Sequence, residues 1–290
     1  MAKSSLRLAE NISGDFYVDS SCIDCDTCRW MTPSVFNRAG GQSVVYHQPT
    51  NETERLRSLQ ALLACPTSSI GTVEKPVDIT GAIASFPIPV SENVYHCGYH
   101  SKNSYGAASY LIVRPEGNVL VDSPRFAPPL VKRLEEMGGI RYLYLTHRDD
   151  VADHQKFHEH FLCDRILHSD DITTDTRNVE IQLTGLEPFA LDSDSLIIPV
   201  PGHSKGHTVL LYKNFLFTGD HLAWSEGLQQ LGGFPDVCWY SWSKQVESMR
   251  QLLDYSFEWV LPGHGRRYHA DTATMHQQMQ QCVTWMESVR

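Results

Sequence analysis

Thr146-His147-Arg148-Asp149-Asp150-Val151-Ala152-Asp153-His154 closes a strand-like run at residues 141–146 and puts two imidazoles and three carboxylates into one short loop. Three more segments of this kind close later apolar runs. They are Pro201-Gly202-His203-Ser204-Lys205-Gly206-His207, Phe217-Thr218-Gly219-Asp220 and Leu261-Pro262-Gly263-His264-Gly265. Loops at strand ends can aim side chains at a shared point, and imidazoles mixed with carboxylates suit a borderline cation such as zinc or iron. One histidine after Pro-Gly is as ordinary in a turn as in a ligand set. Four such segments in this order are far more specific.

Between these loops the pattern alternates. Residues 109–113 and 118–122 flank a turn at Arg114-Pro115-Glu116-Gly117 and read as a β-hairpin. Leu130, Val131, Leu134 and Met137 recur at helical spacing before Gly138-Gly139, and residues 195–200, 208–212 and 214–218 read as strands. Residues 241–253 and 271–289 carry helical periodicity, with Met275, Met279, Cys282 and Met286 on one core-facing side. Strands and helices in this order predict an α/β layered domain with two sheets enclosed by helices. Together with Val119-Leu120-Val121-Asp122-Ser123, the four loops resemble the metallo-β-lactamase superfamily over residues 93–268. That resemblance implies an αββα sandwich in which His147 and His203 serve one metal, His264 serves the other, and Asp220 bridges them. His207 is open between a ligand and an imidazole hydrogen-bonded within its turn.

The first loop departs from the superfamily's usual His-x-His-x-Asp-His. Asp149 stands at the third position, and Val151 and Ala152 stand where the Asp-His pair belongs. Without gaps, the second metal loses two ligands. With a two-residue insertion, Asp153 and His154 recover the pair, and this is the reading taken forward. The competing reading makes Asp150 a helix N-cap and Asp153 a first-turn carboxylate. Asp149 as a further carboxylate makes the site harder and favours iron or manganese. Flavodiiron proteins are similar in having an acidic residue there, although nothing in this chain resembles their flavin module.

Upstream, Cys22-Ile23-Asp24-Cys25-Asp26-Thr27-Cys28 sets three thiols three residues apart, and Cys65 with Pro66 follows as a remote fourth. A tight triplet can direct three thiolates to corners of a cubane while the remote Cys-Pro supplies the fourth. Four-cysteine zinc sites normally use two separated pairs instead. Residues 11–73 look like a single-cluster bacterial-type ferredoxin, and a helix is expected at residues 55–63 with Leu56, Leu59, Leu62 and Leu63 on one face. Cys97, Cys163, Cys238 and Cys282 are scattered, which in a reducing compartment favours packing over disulfides.

The expected organisation is therefore a small α+β ferredoxin-like iron-sulfur domain at 1–75, a linker at 76–92 rich in Pro, Gly and small residues, and a metallo-β-lactamase-like domain at 93–290. A formal charge of -10 argues against a broad surface for nucleic acid. The N-terminal residues lack the apolar stretch of a secretory signal, and no run is long enough to span a bilayer, so a cytoplasmic or stromal location is expected. The expected cofactors are one or two zinc or iron ions and one 4Fe-4S cluster. The expected partners are a small-molecule substrate and, where the cluster carries electrons, a redox partner protein. The leading function is a metal-dependent hydrolase acting on an ester, thioester, lactone or amide, with Asp153 orienting the attacking water. The alternatives are an oxidoreductase linking the cluster to a non-haem iron centre, and a binding protein with a degenerate metal site. Trp224, Phe234, Trp239, Tyr240 and Trp242 serve either a pocket wall or the core, and most of the remaining histidines are expected to face solvent or cap helices.

Overall fold

The hydrophobic pair at Phe16 and Val18 is buried on both sides of Tyr17, and these residues form β1 (Phe16–Val18). The cysteine loop leads into a single turn, α1 (Thr27–Met31), and then into the hairpin of β2 (Phe36–Ala39) and β3 (Gln42–Val45). Helix α2 (Glu52–Ala64) starts where the Asn51 side chain accepts from the Glu54 backbone amide at 2.9 Å, and Glu54 accepts in return from Thr50. This reciprocal cap fixes the start of the helix. Strand β4 (Ile70–Thr72) then returns to pair antiparallel with β1. The computed structural model describes residues 2–289.

These residues share a small core of Phe16, Val18, Val35, Phe36, Val45, Leu59 and Ile70, which also takes in Cys28 and Cys65. The expected stripe of α2 is rotated. Leu59 is buried, Leu62 and Leu63 pack partly, and Leu56 is exposed, while Ser58, Gln60, Ala61 and Ala64 face inward. Small side chains let α2 approach α1 closely, and Gln60 donates to the Ser85 hydroxyl at 2.8 Å. Residues 76–92, read from the sequence as a linker, hold α3 (Ile79–Ala84) and β5 (Ile88–Ser91). Strand β5 pairs antiparallel with β6 (Val94–His96), which pairs with β7 (Tyr110–Ile112). Helix α4 (Pro128–Glu136) begins with prolines in its first turn, where a missing N–H is harmless.

The chain groups into two compact units, one running to Asn118 and taking in Ser123–Ile140, the other comprising Val119–Asp122 and the chain from Arg141 on. In the second unit, β8 (Val119–Val121), β9 (Tyr142–Tyr144), β10 (Asp164–His168) and β11 (Ile181–Leu183) pair in parallel. Helix α5 (His154–Phe161) packs on β9 and β10. A second sheet runs in the order β12 (Phe189–Asp192), β13 (Ser195–Pro199), β14 (Thr208–Tyr212), β15 (Phe215–Gly219), β18 (Trp259–Pro262) and β19 (Tyr268–His269). The small pair β16 (Ala223–Ser225) and β17 (Gln230–Gly232) lies between β15 and β18 in sequence.

Helices α6 (Trp242–Leu252) and α7 (Thr272–Ser288) cover the second sheet through Val246, Met249, Met275, Met279, Cys282 and Met286, packed on Ile198, Val209, Leu216 and Val260. The two sheets meet where Thr208 donates its backbone amide to the Thr146 carbonyl at 2.9 Å and shares a side-chain hydrogen bond with Tyr144 at 2.8 Å. The layers are thus helix, sheet, sheet, helix. Among the described residues no helix is long and apolar enough to cross a membrane.

Candidate functional site

The loops leaving β8, β9, β13, β15 and β18 converge at one end of the second unit. His147 and His203 Nε2 lie 3.8 Å from the same oxygen, Asp220 Oδ2, and Asp149 Oδ2 lies 3.9 Å and 3.5 Å from those two nitrogens. The other Asp220 oxygen, Oδ1, is 2.7 Å from His264 Nδ1. Two groups able to hold a cation result, His147 with His203 and Asp220, and Asp150 with Asp220 and His264. The spacing in the first group is too wide for hydrogen bonds. It is close to the roughly 3.3–3.4 Å edge of a tetrahedron with metal–ligand bonds of about 2.0–2.1 Å.

Burial supports the same reading. His147 Nε2, both His203 ring nitrogens and both Asp150 carboxylate oxygens are buried with no hydrogen-bond partner. Orphaned buried polar atoms are expensive, and His147 Nε2 and His203 Nε2 in one group with the Asp150 oxygens in the other fit cations there. Burial lowers the His147 pKa to about 4, keeping the ring neutral and able to ligate. Burial also works to raise Asp220, but His264, His147 and His203 overcome it and hold the carboxylate far below its usual range. Burial and the neighbouring Asp220 push Asp150 well above that range. Asp149 is lowered by His203 beside it, and its side chain stays 46% exposed at the mouth of the site.

Asp153 and His154, expected to supply the second metal through an insertion, join neither group. Asp153 opens α5 and accepts from Lys156 Nζ at 2.8 Å, while His154 Nδ1 lies 3.1 Å from the buried Arg165 guanidinium. Asp150 stands in their place, and the expectation that it caps a helix also fails, since the N-cap of α5 is Asp153. Three residues separate Asp150 from the helix, which turns Asp153 and His154 away from the strand ends. Gly263 makes room for Asp150. A Cβ there would sit 2.7 Å from Asp150 Oδ2 and 3.2 Å from Asp220 Oδ1. Asp150 was legible only as one of several acids in the loop, because its partner Gly263 is distant in sequence.

Two supports hold these side chains in place. Asp122, in a left-handed conformation at the end of β8, accepts from the Thr146 amide at 2.8 Å and its hydroxyl at 3.0 Å. The Thr146 hydroxyl therefore accepts from His147 Nδ1 at 2.9 Å, which leaves Nε2 with the lone pair that faces the site. Burial, opposed by the Thr146 bonds and aided by Asp220, raises Asp122 to about 7. Asp171, fully buried after β10, accepts from the Arg148 amide at 3.1 Å, the Ser204 hydroxyl at 2.5 Å and the Gly206 amide at 2.7 Å. One carboxylate thus ties the His147 loop to the His203 loop, a role the sequence reading missed.

His207 is fully buried, stacks on the His147 ring at 4.8 Å, and accepts from the Asp220 amide at 3.3 Å, so it packs behind the ligands. His96, His100 and His221 are also buried, against the expectation of solvent-facing or capping rings, whereas the buried His168 does cap a short 3-10 turn, accepting from the Asp170 amide at 3.2 Å. The aromatic cluster divides. Trp242 and Trp224 pack on the core, whereas Trp239 is 61% exposed and its ring lies 6.4 Å from His203. The Trp239 and Tyr240 amides both donate to the His203 carbonyl, which holds this rim in place.

In the first unit Cys22, Cys25, Cys28 and Cys65 line one pocket, and all four thiols are free. The Asp24 and Ser43 amides point at Cys22 Sγ at 3.5 Å and 3.4 Å, and the Ser69 amide at Cys65 Sγ at 3.3 Å. Burial pushes Cys25 up to about 11 and holds Cys28 well above the usual thiol range. Such thiols ionise only when a cation neutralises them, and amides already aimed at sulfur suit bound thiolates. The four residues fit a cluster.

Comparison with known proteins agrees with both halves. Residues 18–72 match the family described as the 4Fe-4S single cluster domain of Ferredoxin I. Hydroxyacylglutathione hydrolase of Shewanella loihica is 28% identical over 185 residues, 61% of this chain and 64% of that protein. The chain thus spans less than two thirds of this curated relative's length. Among solved structures, VMB-1 gives a TM-score of 0.54 at 16% identity, covering 69% of this chain and 95% of that one. DIM-1 exposed to ceftazidime gives 0.54 at 19%, covering 70% and 96%. The mono-zinc form of FIM-1 from Pseudomonas aeruginosa gives 0.51 at 15%, covering 70% and 95%. The chain therefore carries a metallo-β-lactamase fold behind a 4Fe-4S ferredoxin-like segment.

Proposed function

We propose that the chain is a metal-dependent hydrolase that cleaves an acyl bond, with thioesters foremost among the ester, thioester, lactone and amide classes. The observation that carries this reading is Asp220, whose two oxygens face two adjacent ligand groups. The likeness to a hydroxyacylglutathione hydrolase supports the thioester choice. His147, His203 and Asp220 would hold one cation, and Asp150, Asp220 and His264 the other. When bound, such ions supply Lewis acidity toward the acyl carbonyl and lower the pKa of water toward neutrality.

The chain's own residues do the rest. Asp122 and Thr146 keep the His147 ring in the tautomer that ligates, and Asp171 keeps the two histidine loops in register. Asp149, the exposed carboxylate of the set, takes the role first read for Asp153 and orients the attacking water as an acceptor across the neutral range. Trp239 walls one side of the mouth beside His203 and excludes water there. The test is hydrolysis of an acyl panel of thioesters, esters, lactones and amides by zinc-loaded and by iron-loaded protein. Thioester turnover that vanishes in His203→Ala and Asp220→Ala is expected; background rates across the panel after full metal loading refute the reading.

A second reading, an oxidoreductase, draws on Asp149. With its oxygen 3.5 Å from His203 Nε2, it adds a carboxylate to a set that already contains Asp220, and harder donors favour iron. Iron in the second unit, with activity that follows the redox state of the cluster, would favour it over hydrolysis.

A further inference from the structure

We propose that Thr27, held by the buried His100, places a hydrogen bond on the Cys25 thiolate and thereby raises the reduction potential of the cluster. The proposal rests on the four cysteines holding that cluster. It goes beyond the ferredoxin-like match, because His96, His100 and Gly106 all lie outside residues 18–72.

The donor directions follow from one fixed group. His100 Nδ1 is 2.7 Å from the Gly106 carbonyl, which can only accept, so Nδ1 carries the proton. The same nitrogen is 3.1 Å from Thr27 Oγ1, which therefore meets an N–H and acts toward it as an acceptor. A protonated Cys25 Sγ donates to Thr27 Oγ1 at 3.4 Å; a cluster-bound thiolate has no proton to give, so the Thr27 hydroxyl becomes the donor of that contact. Its other acceptor, the Gly106 carbonyl, is neutral and at 3.5 Å lies at the limit of an O–H···O bond, so a charged thiolate is the stronger claimant for the proton. With its proton on Nδ1, His100 presents a bare Nε2 to His96 Nε2 at 2.8 Å, and His96 donates. Thr27 is 2% exposed, His96 1% and His100 0%, so water does not compete for these bonds.

The segment that carries His100 is fastened to the cysteine loops. The His100 amide donates to the Ala64 carbonyl at 3.1 Å, beside Cys65, and the Tyr105 hydroxyl donates to the Ile23 carbonyl at 2.5 Å. Gly106, at φ +90°, lies so close that a Cβ would stand 2.8 Å from Cys25 Cβ and 3.1 Å from its sulfur. The wall around Cys25 is thus completed by residues 100–106. When a one-electron donor such as dithionite reduces the cluster, one electron enters and no bond breaks. The added negative charge spreads onto the thiolates, and the Thr27 proton stays on its oxygen. A donor at sulfur stabilises that charge and so favours the reduced state.

The experiment is an anaerobic redox titration of the full chain with its cluster reconstituted, followed by the electron paramagnetic resonance of the reduced form. Iron and sulfide content is measured alongside. Thr27→Val is expected to shift the midpoint to a more negative potential, with the equilibrium constant for reduction falling roughly tenfold, the order of one charge-assisted hydrogen bond. Thr27→Ser, which keeps the hydroxyl, is expected to titrate as wild type. His100→Phe, which frees the Gly106 carbonyl to draw the Thr27 proton, is expected to shift in the same direction and gives an independent reading should Thr27→Val lose its cluster. An unchanged midpoint in a loaded Thr27→Val or His100→Phe overturns the proposal, as does a Thr27→Ser shift as large as that of Thr27→Val. A wild-type chain that takes up no cluster overturns the premise itself, and the iron and sulfide analysis tells that failure apart.

Discussion

Replacing Asp150 with Asn should change stability in opposite directions with and without metal. Asp150 is 1% exposed, neither oxygen has a hydrogen-bond partner, and Asp220 and Asp122 add like charge. Burial raises its pKa in the folded protein well above the unfolded value near 3.9. Between those two values the unfolded chain binds fewer protons than the folded one, so metal-free stability falls as pH rises through the window. At neutral pH the buried, unpartnered carboxyl costs about 1–3 kcal/mol. Asp150→Asn relieves the charge, and in chelator the variant should melt roughly 2–10 °C higher than wild type.

With metal present the order inverts. A cation at a hundredfold excess over its dissociation constant stabilises the folded state by about 2.7 kcal/mol. The variant forfeits this contribution at the Asp150, Asp220 and His264 group. Thermal melts in chelator and in excess zinc, with metal content by mass spectrometry, measure both arms, and Asp153→Asn and His154→Gln serve as comparators. The reasoning fails if Asp150→Asn binds metal like wild type while either comparator loses an equivalent.

Gly263→Ala should depress metal content and acyl turnover by about tenfold or more while the protein still folds, since its Cβ would meet Asp150 Oδ2 at 2.7 Å; metal titration and circular dichroism separate the two effects. Asp171→Ala removes the acceptor shared by Arg148, Ser204 and Gly206, and should weaken metal binding roughly 10–100-fold without touching a ligand, as read by competition with a chromophoric chelator. Glu180 accepts from the buried Arg165 through its backbone amide, Nε and Nη2 at 2.8, 2.9 and 2.7 Å, and these bonds overcome burial to lower its pKa from 4.5 to about 2. Its contribution is present above pH 4.5 and is lost as pH falls toward 2, so Glu180→Gln should destabilise by about 2 kcal/mol at neutral pH, after a discount for partial exposure, and flatten the acid limb of the stability curve; a variant that loses stability below pH 4 in parallel with wild type contradicts this.

What was legible from sequence was whatever repeats a local pattern. The cysteine triplet with Cys65 and the four strand-end loops are short, and each puts its reactive side chains within a few residues of one another. His147, His203, Asp220 and His264 could therefore be named before any coordinates, and the structure brings them together. The failure at Asp150 has a different cause. Choosing between Asp150 and Asp153 requires knowing where α5 begins, and helix boundaries are the least certain part of a sequence reading. It also requires knowing that Gly263, more than a hundred residues away, leaves the space against which Asp150 Oδ2 and Asp220 Oδ1 both lie. Asp171 was hidden for a related reason, since a buried acid that bonds backbone amides leaves no motif.

The iron-sulfur half shows the same division between local and distant information. Its ligands are a local pattern, but its surroundings are not. Ala64, Ile23 and Cys25 are approached by His100, Tyr105 and Gly106, residues that look in sequence like an ordinary glycine-containing loop. Electron-transfer and purely structural clusters can share one ligand set, because potential is set by hydrogen bonds to sulfur and by solvent access, not by the cysteines alone. A buried hydroxyl between an imidazole at 3.1 Å and the Cys25 sulfur at 3.4 Å, placed as proposed to donate to a thiolate, is a feature that a mere staple does not need. On that proposal the role of the cluster turns on Thr27 and His100, and a redox titration of variants at those two positions bears on it more directly than any substitution of the cysteines, which would remove the cluster and the question together.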